Sequence, residues 1–174
     1  MEYTFTLKYQ LAEHDSDPDA LVERLGEAGC DDALVGIGQP SRIALEFTRE
    51  AKSAQVAVRS ALADVKRAVP LAKLVEAAPD FVGLTDVAEL VGVSRQAMRK
   101  LMLSHAATFP APVHEGSASI WHLAEVLGWL EEKGGYALER RMLETARAAL
   151  EVNLAREFGR LPVAAARELR VLVA

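Results

Sequence analysis

The 174-residue sequence has little of several features that define large classes of protein. Cys30 is its one cysteine, which excludes an intrachain disulfide and a cysteine-based zinc site. No apolar run approaches the roughly eighteen residues that a membrane-spanning helix needs. The first residues, Met1 to Phe5, alternate in polarity and carry an acidic side chain, unlike a secretory signal. We therefore expect a soluble, cytoplasmic protein.

The sequence also lacks the excess of positive charge that general nucleic-acid coating requires. Its net charge is −5, so any contact with nucleic acid must be local. Residues 1–80 hold 9 basic and 14 acidic side chains, and residues 81–133 hold 4 and 6. Three of those four basic residues, Arg95, Arg99 and Lys100, belong to one predicted helix. This clustering indicates a local basic surface in an acidic protein.

Motifs for catalysis or metal binding are missing too. No segment resembles a nucleophile elbow or an HExxH helix. His105, His114 and His122 are separated by nine and eight residues, which fits no compact set of metal ligands. Cys30 has no adjacent cation to stabilise a thiolate. We therefore predict a protein that is not an enzyme and uses no cofactor or metal.

The N-terminal half has the patterns of a mixed α+β domain. Apolar residues alternate from Tyr3 to Leu11, as in a strand with one buried face. Asp17 and Pro18 provide a cap and a first helical position, and Leu21, Val22 and Leu25 would then face inward. Residues 1–79 are predicted to form a ferredoxin-like βαββαβ domain. Its strands would be about 2–12, 32–37, 42–48 and 72–77, and its helices about 18–28 and 49–68.

The stretch from Gly83 to Leu103 predicts two short helices joined by a tight turn. Thr85 is a suitable cap for the first helix, whose apolar residues Val87, Ala88 and Val91 have the spacing of a buried stripe. Gly92 suits an abrupt helix end, since glycine adopts left-handed backbone conformations easily. Ser94 then caps a second helix that should run to about Ser104. This order is typical of a helix-turn-helix.

The second helix is divided into an apolar and a polar half. At about 100° per residue, one half holds Ala97, Met98, Leu101 and Met102, and the other holds Arg95, Gln96, Arg99 and Lys100. Leu103 is the exception to this division. Such a helix fits the major groove of DNA, with its first residues near the base edges. The alternative is an ordinary pair of helices with a solvated basic face.

The residues that follow extend the pattern. They are the segment FPAPV at 109–113, a short Gly/Ser turn, Ile120-Trp121, and a helix from about Leu123 to Glu132 that contains EVLGWL. With LTDVAELVGVSRQAMRKLM, this segment resembles the winged helix-turn-helix domains of the excisionase and AlpA-like regulators, a branch of the MerR-type group. The resemblance implies a DNA-binding domain at 80–134. One departure is the wing, His114 to Ser119, which has no Arg or Lys.

Residues 135–174 are predicted to form a helical tail. From Tyr136 to Phe158, one narrow stripe holds apolar residues, namely Leu138, Met142, Ala146, Ala149 or Leu150, Leu154 and Phe158. The stripe would either dock on the same chain or pair with a second copy, since its spacing suits helix pairing. A homodimer with this seam is expected because one winged domain with three basic side chains should bind DNA weakly. Leu161 and Pro162 would open a final short helix.

These patterns predict a sequence-specific double-stranded DNA-binding protein, most simply a transcriptional regulator. Arg95 and Arg99 would read guanine or hold phosphates, and Gln96 would read adenine. Thr85, Ser94 and Lys100 would position the protein on the DNA backbone. The alternative is an antitoxin-like or adaptor protein whose helix-turn-helix binds a protein. The N-terminal domain would serve a protein partner, self-association or a small ligand.

Overall fold

A computed structural model describes residues 1–15 and 17–173 of the chain. Ala174, the last residue of the predicted tail, therefore lies outside the described part. The described residues form a mixed α+β structure with seven α-helices and two antiparallel sheets. None of these helices is both long enough and apolar enough to span a membrane.

The N-terminal sheet has four antiparallel strands in the order β2-β3-β1-β4. The strands are β1 (Glu2–Gln10), β2 (Ala33–Gly36), β3 (Arg42–Glu50) and β4 (Lys73–Ala78). After β1 comes a 3-10 turn at Glu13–Asp15, followed by helix α1 (Pro18–Glu27); helix α2 (Ala54–Ala68) connects β3 to β4. The strand positions agree with the sequence pattern to within a few residues.

Alternation along the strands decides which face of this sheet is buried. Tyr3, Phe5, Leu7 and Tyr9 are all buried, whereas the residues between them are exposed or half-exposed. Phe5 lies opposite Phe47 of β3, with the two rings stacked at 5.3 Å. Both α1 and α2 contribute to the same hydrophobic cluster as these residues. The β1 side chains of the opposite face are therefore all polar, and they are exposed or half-exposed.

Two local predictions for this half are wrong. The second helix begins at Ala54 rather than near residue 49, because β3 continues to Glu50 and Ser53 caps the helix by accepting the Val56 N–H. Val22 was expected to face inward but is 46% exposed. Leu21 and Leu25 fill the core from α1, so that helix buries a narrower stripe than its apolar residues indicate.

Arg49 explains why the strand extends as far as it does. Its guanidinium is almost buried and donates to both carboxylate oxygens of Asp32 at 2.7 and 2.8 Å. It also donates to Asp64 at 2.7 Å, to Ser60 at 3.1 Å and to the Gly29 carbonyl at 2.8 Å. Hydrogen bonding to Asp32, above all, raises the pKa of Arg49 above its usual value, so it stays charged.

Cys30 lies in the same core. Burial is the main reason that the pKa of its thiol is raised to about 11. The thiol is thus protonated near neutral pH and is a poor nucleophile. Cys30 is thus a buried structural residue that lies three residues before β2.

The second part of the chain begins with β5 (Phe81–Val82), a short strand that the sequence pattern did not indicate. It is followed by helices α3 (Leu84–Leu90) and α4 (Arg95–Ser104), strands β6 (His114–Glu115) and β7 (Ser119–His122), and helix α5 (Leu123–Lys133). The three strands form the second sheet, in the order β5-β7-β6. A hydrophobic cluster around Val87, Met98, Trp121 and Leu127 holds these elements together.

The C-terminal residues form α6 (Arg140–Phe158) and α7 (Val163–Val173). Helix α6 starts later than predicted and belongs to both hydrophobic clusters. Leu143 and Ala146 pack in the second cluster, while Ala148 and Ala149 pack in the first. The predicted seam is therefore wrong along much of its length, because small alanine side chains let α6 pack closely within its own chain. Leu154 and Phe158, at its end, remain exposed.

A buried polar cluster joins these parts where β4 ends. Asn153 of α6 bonds both the N–H and the carbonyl of Ala77 at 2.8 Å and donates to Asp80 at 2.7 Å. The other oxygen of Asp80 lies 2.8 Å from Nδ1 of His122. Asp80 lies where the predicted domains at 1–79 and 80–134 meet, and it is almost completely buried. We call Asp80, His122 and Asn153 the junction cluster.

Candidate nucleic-acid interface

The first helix of the candidate site, α3, is positioned by its N-terminal turn. Gly83 precedes it, and the Gly83 N–H donates to the Asp86 carboxylate at 2.7 Å. Thr85 is therefore not the cap that the sequence indicated, but the second residue of the helix, with its side chain exposed. The cap moved because Asp86, in the third helical position, reaches back to the free N–H group of Gly83.

The turn between α3 and α4 has the geometry expected from its residues. Gly92 has φ of 72°, the left-handed conformation that costs glycine little. The N–H of Val93 donates to the Ala88 carbonyl at 2.9 Å, closing the end of α3. Ser94 then caps α4, its hydroxyl accepting the Ala97 N–H at 3.1 Å. These contacts set the angle at which α4 leaves the turn.

Helix α4 is anchored by a single buried side chain and otherwise faces solvent. Met98 is completely buried, and Leu101 and Met102 are half-buried beside it. Ala97 was assigned to the apolar half but is exposed, since only a narrow stripe of α4 meets the core. Leu103 is 59% exposed.

Four polar residues of α4 that were predicted to bind DNA are exposed along the free side of the helix: Arg95, Gln96, Arg99 and Lys100. None of the ion pairs among the described residues involves the three cations. By contrast, Arg24 and Arg49 of the N-terminal part are both paired with carboxylates. The α4 surface thus presents positive charge that no carboxylate of the described chain neutralises.

Contacts with α5 hold the C-terminal end of α4 in place. His105 ends the helix, and its Nδ1 lies 3.0 Å from the Leu101 carbonyl. Its Nε2 lies 2.8 Å from the Lys133 ammonium, so Nε2 accepts and Nδ1 carries the proton in this arrangement. The His105 ring also meets the edge of Trp129, with centroids 5.5 Å apart.

Strands β6 and β7 form a hairpin at the position that was predicted for a wing. Trp121 is buried and donates its indole N–H to the Pro110 carbonyl at 3.0 Å. Phe109 packs edge-on against both Trp121 and Trp129. Trp121 therefore supports the hairpin from within, and the half-buried Trp129 is covered by Phe109 and by the Lys133 ammonium over its ring. The tip from His114 to Ala118 is exposed and has no Arg or Lys.

The histidines of this region have separate structural surroundings. His122 contacts Asp80, His105 contacts Lys133, and His114 lies exposed on the hairpin. Over residues 1–15 and 17–173, no group of three or more His, Cys, Asp or Glu side chains is arranged to hold a metal ion.

The site thus consists of an exposed α4 surface with three cations that form no ion pair with the described residues. Positive side chains on an exposed helix can neutralise phosphates, and arginine and glutamine can bond two atoms of a base edge.

The junction cluster was not predicted from the sequence, because an isolated Asp, His and Asn at 80, 122 and 153 form no motif.

Comparison with known proteins agrees with this geometry over one segment. Residues 80–134 match the family model of Prophage CP4-57 regulatory protein (AlpA), an excisionase-like DNA-binding family. The match confirms the predicted resemblance to AlpA-like regulators for this part of the chain. No curated protein and no solved structure matches the chain.

Proposed function

We propose that the chain is a sequence-specific DNA-binding protein, a transcriptional regulator that reads double-stranded DNA with α4. The unpaired cations on α4 carry the proposal, since three uncompensated positive charges on one exposed helix suit a polyanion. The match of residues 80–134 to a DNA-binding regulatory family supports the same function. DNA binding would be the activity, and catalysis, cofactor and metal have no part in the proposal.

The proposal divides the chain into three functional parts. Residues 80–134 would act as a winged helix-turn-helix of the MerR-like kind, with β6 and β7 as its wing. Residues 1–79 would be a ferredoxin-like domain, an assignment supported by their βαββαβ order and by the strand order β2-β3-β1-β4. Residues 135–174 would connect the two, because α6 belongs to both cores.

Each exposed residue has a chemical role in this proposal. Arg95 and Arg99 would bond guanine edges or phosphates, and Gln96 would bond adenine. Lys100 would contact phosphate, and Ser94 and Thr85 would approach the DNA backbone near the helix N-termini. Ser94 also caps α4, so its substitution would weaken the helix as well as any contact with DNA.

Truncating the two arginines tests the proposal directly. Arg95→Ala and Arg99→Ala should each weaken binding to a DNA fragment selected from random genomic DNA, without changing the thermal melting of the protein. If an arginine holds guanine bidentately, its loss should cost about 1–3 kcal/mol and relax preference at one base pair. If it holds phosphate, binding should fall equally for all sequences, and the slope of log affinity against log salt should decrease by about one.

Two controls make that experiment decisive. Met98→Asp places a carboxylate in the fully buried site of α4 and should lower the melting temperature, unlike the arginine variants. Arg42→Ala removes an exposed arginine from β3 and should leave DNA binding unchanged. Unaltered affinity in both α4 variants, or affinity of the wild type that does not fall with salt, would show that α4 does not face DNA.

The second candidate is an antitoxin-like or adaptor protein whose helix-turn-helix binds another protein. The wing favours this second candidate, because its exposed tip carries Glu115 and no Arg or Lys that would hold phosphate.

An N-terminal site for a protein or a small ligand would be compatible with both the DNA-binding and the protein-binding candidate. A cleft of about 330 Å³ lies between the two cores, lined by Tyr3, Thr48, Pro79, Leu90 and Thr145 among others.

We expect the chain to bind DNA as a homodimer that selects two half-sites about one helical turn apart, or a multiple of it. Since α6 packs largely within the chain, the seam would shift to the exposed apolar residues at the end of α6, in the turn after it and on α7. They are Leu154, Phe158, Leu161, Val163, Leu169, Val171, Leu172 and Val173. Light scattering at micromolar concentration should give twice the 18.9 kDa chain mass.

A substitution at the seam should separate the subunits. Phe158→Glu would place a charge among these apolar side chains and should yield a monomer, whereas Val22→Glu, on exposed α1 surface, should not. A monomeric wild type at this concentration would contradict the prediction.

A further inference from the structure

The α4 surface contains one side chain that its charge does not explain. Leu103 is 59% exposed, although it belongs to a helix whose other outward residues are mostly polar. It lines a shallow open groove together with Gln96, Arg99, Lys100 and Ser104. An isolated exposed leucine is ordinary on a protein surface, but this one lies in the middle of the proposed DNA-reading surface.

Helix geometry places Leu103 in line with the predicted base-reading residues. It follows Gln96 by seven positions, Arg99 by four and Lys100 by three, spacings that put side chains on one face of a helix. At about 1.5 Å per residue, Gln96 and Leu103 are about 10 Å apart along the axis. That length corresponds to about three base-pair steps of about 3.4 Å each.

The contacts at the end of α4 keep Leu103 directed outward. The inward positions beside it belong to Leu101 and Met102, which pack against the second core. The neighbouring hydroxyl of Ser104 donates to the Lys100 carbonyl at 2.7 Å, so its proton is already used within the helix. His105, held at the Leu101 carbonyl, ends the helix just after it. Leu103 is thus an outward apolar side chain one helical turn after Arg99 and Lys100.

Major-groove chemistry offers a specific partner for such a side chain. Among the groups that base pairs present there, the C5-methyl of thymine is the apolar one. We propose that Leu103 contacts a thymine methyl and thereby specifies a T·A pair on the side of the site away from the α4 N-terminus. The proposal rests on the proposed function, because it requires α4 to lie in the major groove.

Replacing thymine by uracil tests this contact, because uracil lacks only the methyl group. Each thymine of a selected DNA fragment is changed to uracil in turn, and binding of the full chain is measured. At one thymine in each half-site, the wild type should bind the uracil fragment about fourfold more weakly. This is the change in affinity expected from losing the burial of one methyl group. Leu103→Ala should bind both fragments equally, and Leu103→Met should retain the difference.

Matched variants distinguish the possible failures. Leu71→Ala removes a leucine of similar exposure outside α4 and should keep the uracil effect, as should Arg99→Ala at lower overall affinity. If the wild type shows no salt-dependent DNA binding, the proposed function fails and this contact with it. If the wild type binds DNA but uracil has no effect, or Leu103→Ala keeps the same effect, the thymine contact alone is overturned.

Discussion

Replacing Arg49 by methionine should destabilise the protein by about 3 kcal/mol, the lower end of the cost of breaking a buried ion pair, because Arg49 is buried whereas Asp32 and Asp64 are only half-buried and Asp64 keeps Arg67. Asp32 would lose both of its bonds to the guanidinium, and Asp64 one of its own. Methionine keeps the length and apolar contact of the side chain but supplies no donor. The Gly29 carbonyl would also lose the donor that it has at 2.8 Å. Urea unfolding followed by circular dichroism should show a clearly lower midpoint.

A conservative variant and a surface control sharpen this test. Arg49→Lys keeps the charge but cannot bond Asp32 with two parallel donors, so its loss of stability should be intermediate. Lys8→Met breaks a more exposed ion pair with Glu76 and should cost about 0–1 kcal/mol. If Arg49→Met unfolds at the wild-type urea concentration, the buried network does not hold the end of β3.

The second large effect is expected at the junction cluster. Asn153→Leu removes three hydrogen bonds at once and leaves Ala77 and the Asp80 carboxylate without those partners. Since unsatisfied buried groups cost about 1–3 kcal/mol each, the total loss should be about 3–5 kcal/mol. The free energy of unfolding, again from urea titration, measures it. Helix α6 would also lose a specific connection between the two cores.

Combining this change with Asp80→Asn tests whether the cluster acts as a unit. Once Asn153 is gone, neutralising Asp80 should relieve part of the penalty, so the two losses should not add. Glu151→Gln, two residues earlier on the exposed side of α6, breaks a surface pair with Arg59 and should change little. Simple additivity of the Asp80 and Asn153 substitutions would show that the junction cluster is not energetically coupled.

Helix α4 and the turn before it were predicted better than α6, because the signals that define them are local. Ser94 caps α4, Gly92 takes the left-handed turn, and α4 ends at Ser104, all as the neighbouring residues required. The exposure of Ala97 was not predictable from spacing, because it depends on how narrow a stripe of α4 the core covers. Thr85 failed as a cap for a local reason, the competing bond from Gly83 to Asp86.

The sequence by itself determined the alternating strands, the two helices around Gly92 and the uneven charge, since period and capping act over a few residues. Only the tertiary structure decided that Arg49 belongs to a strand, because its partners Asp32 and Asp64 come from other elements. The tertiary structure also decided that α6 packs against its own chain. Its alanines suit helix pairing with any partner, and they pack within the chain because both cores present surfaces that small side chains can approach closely.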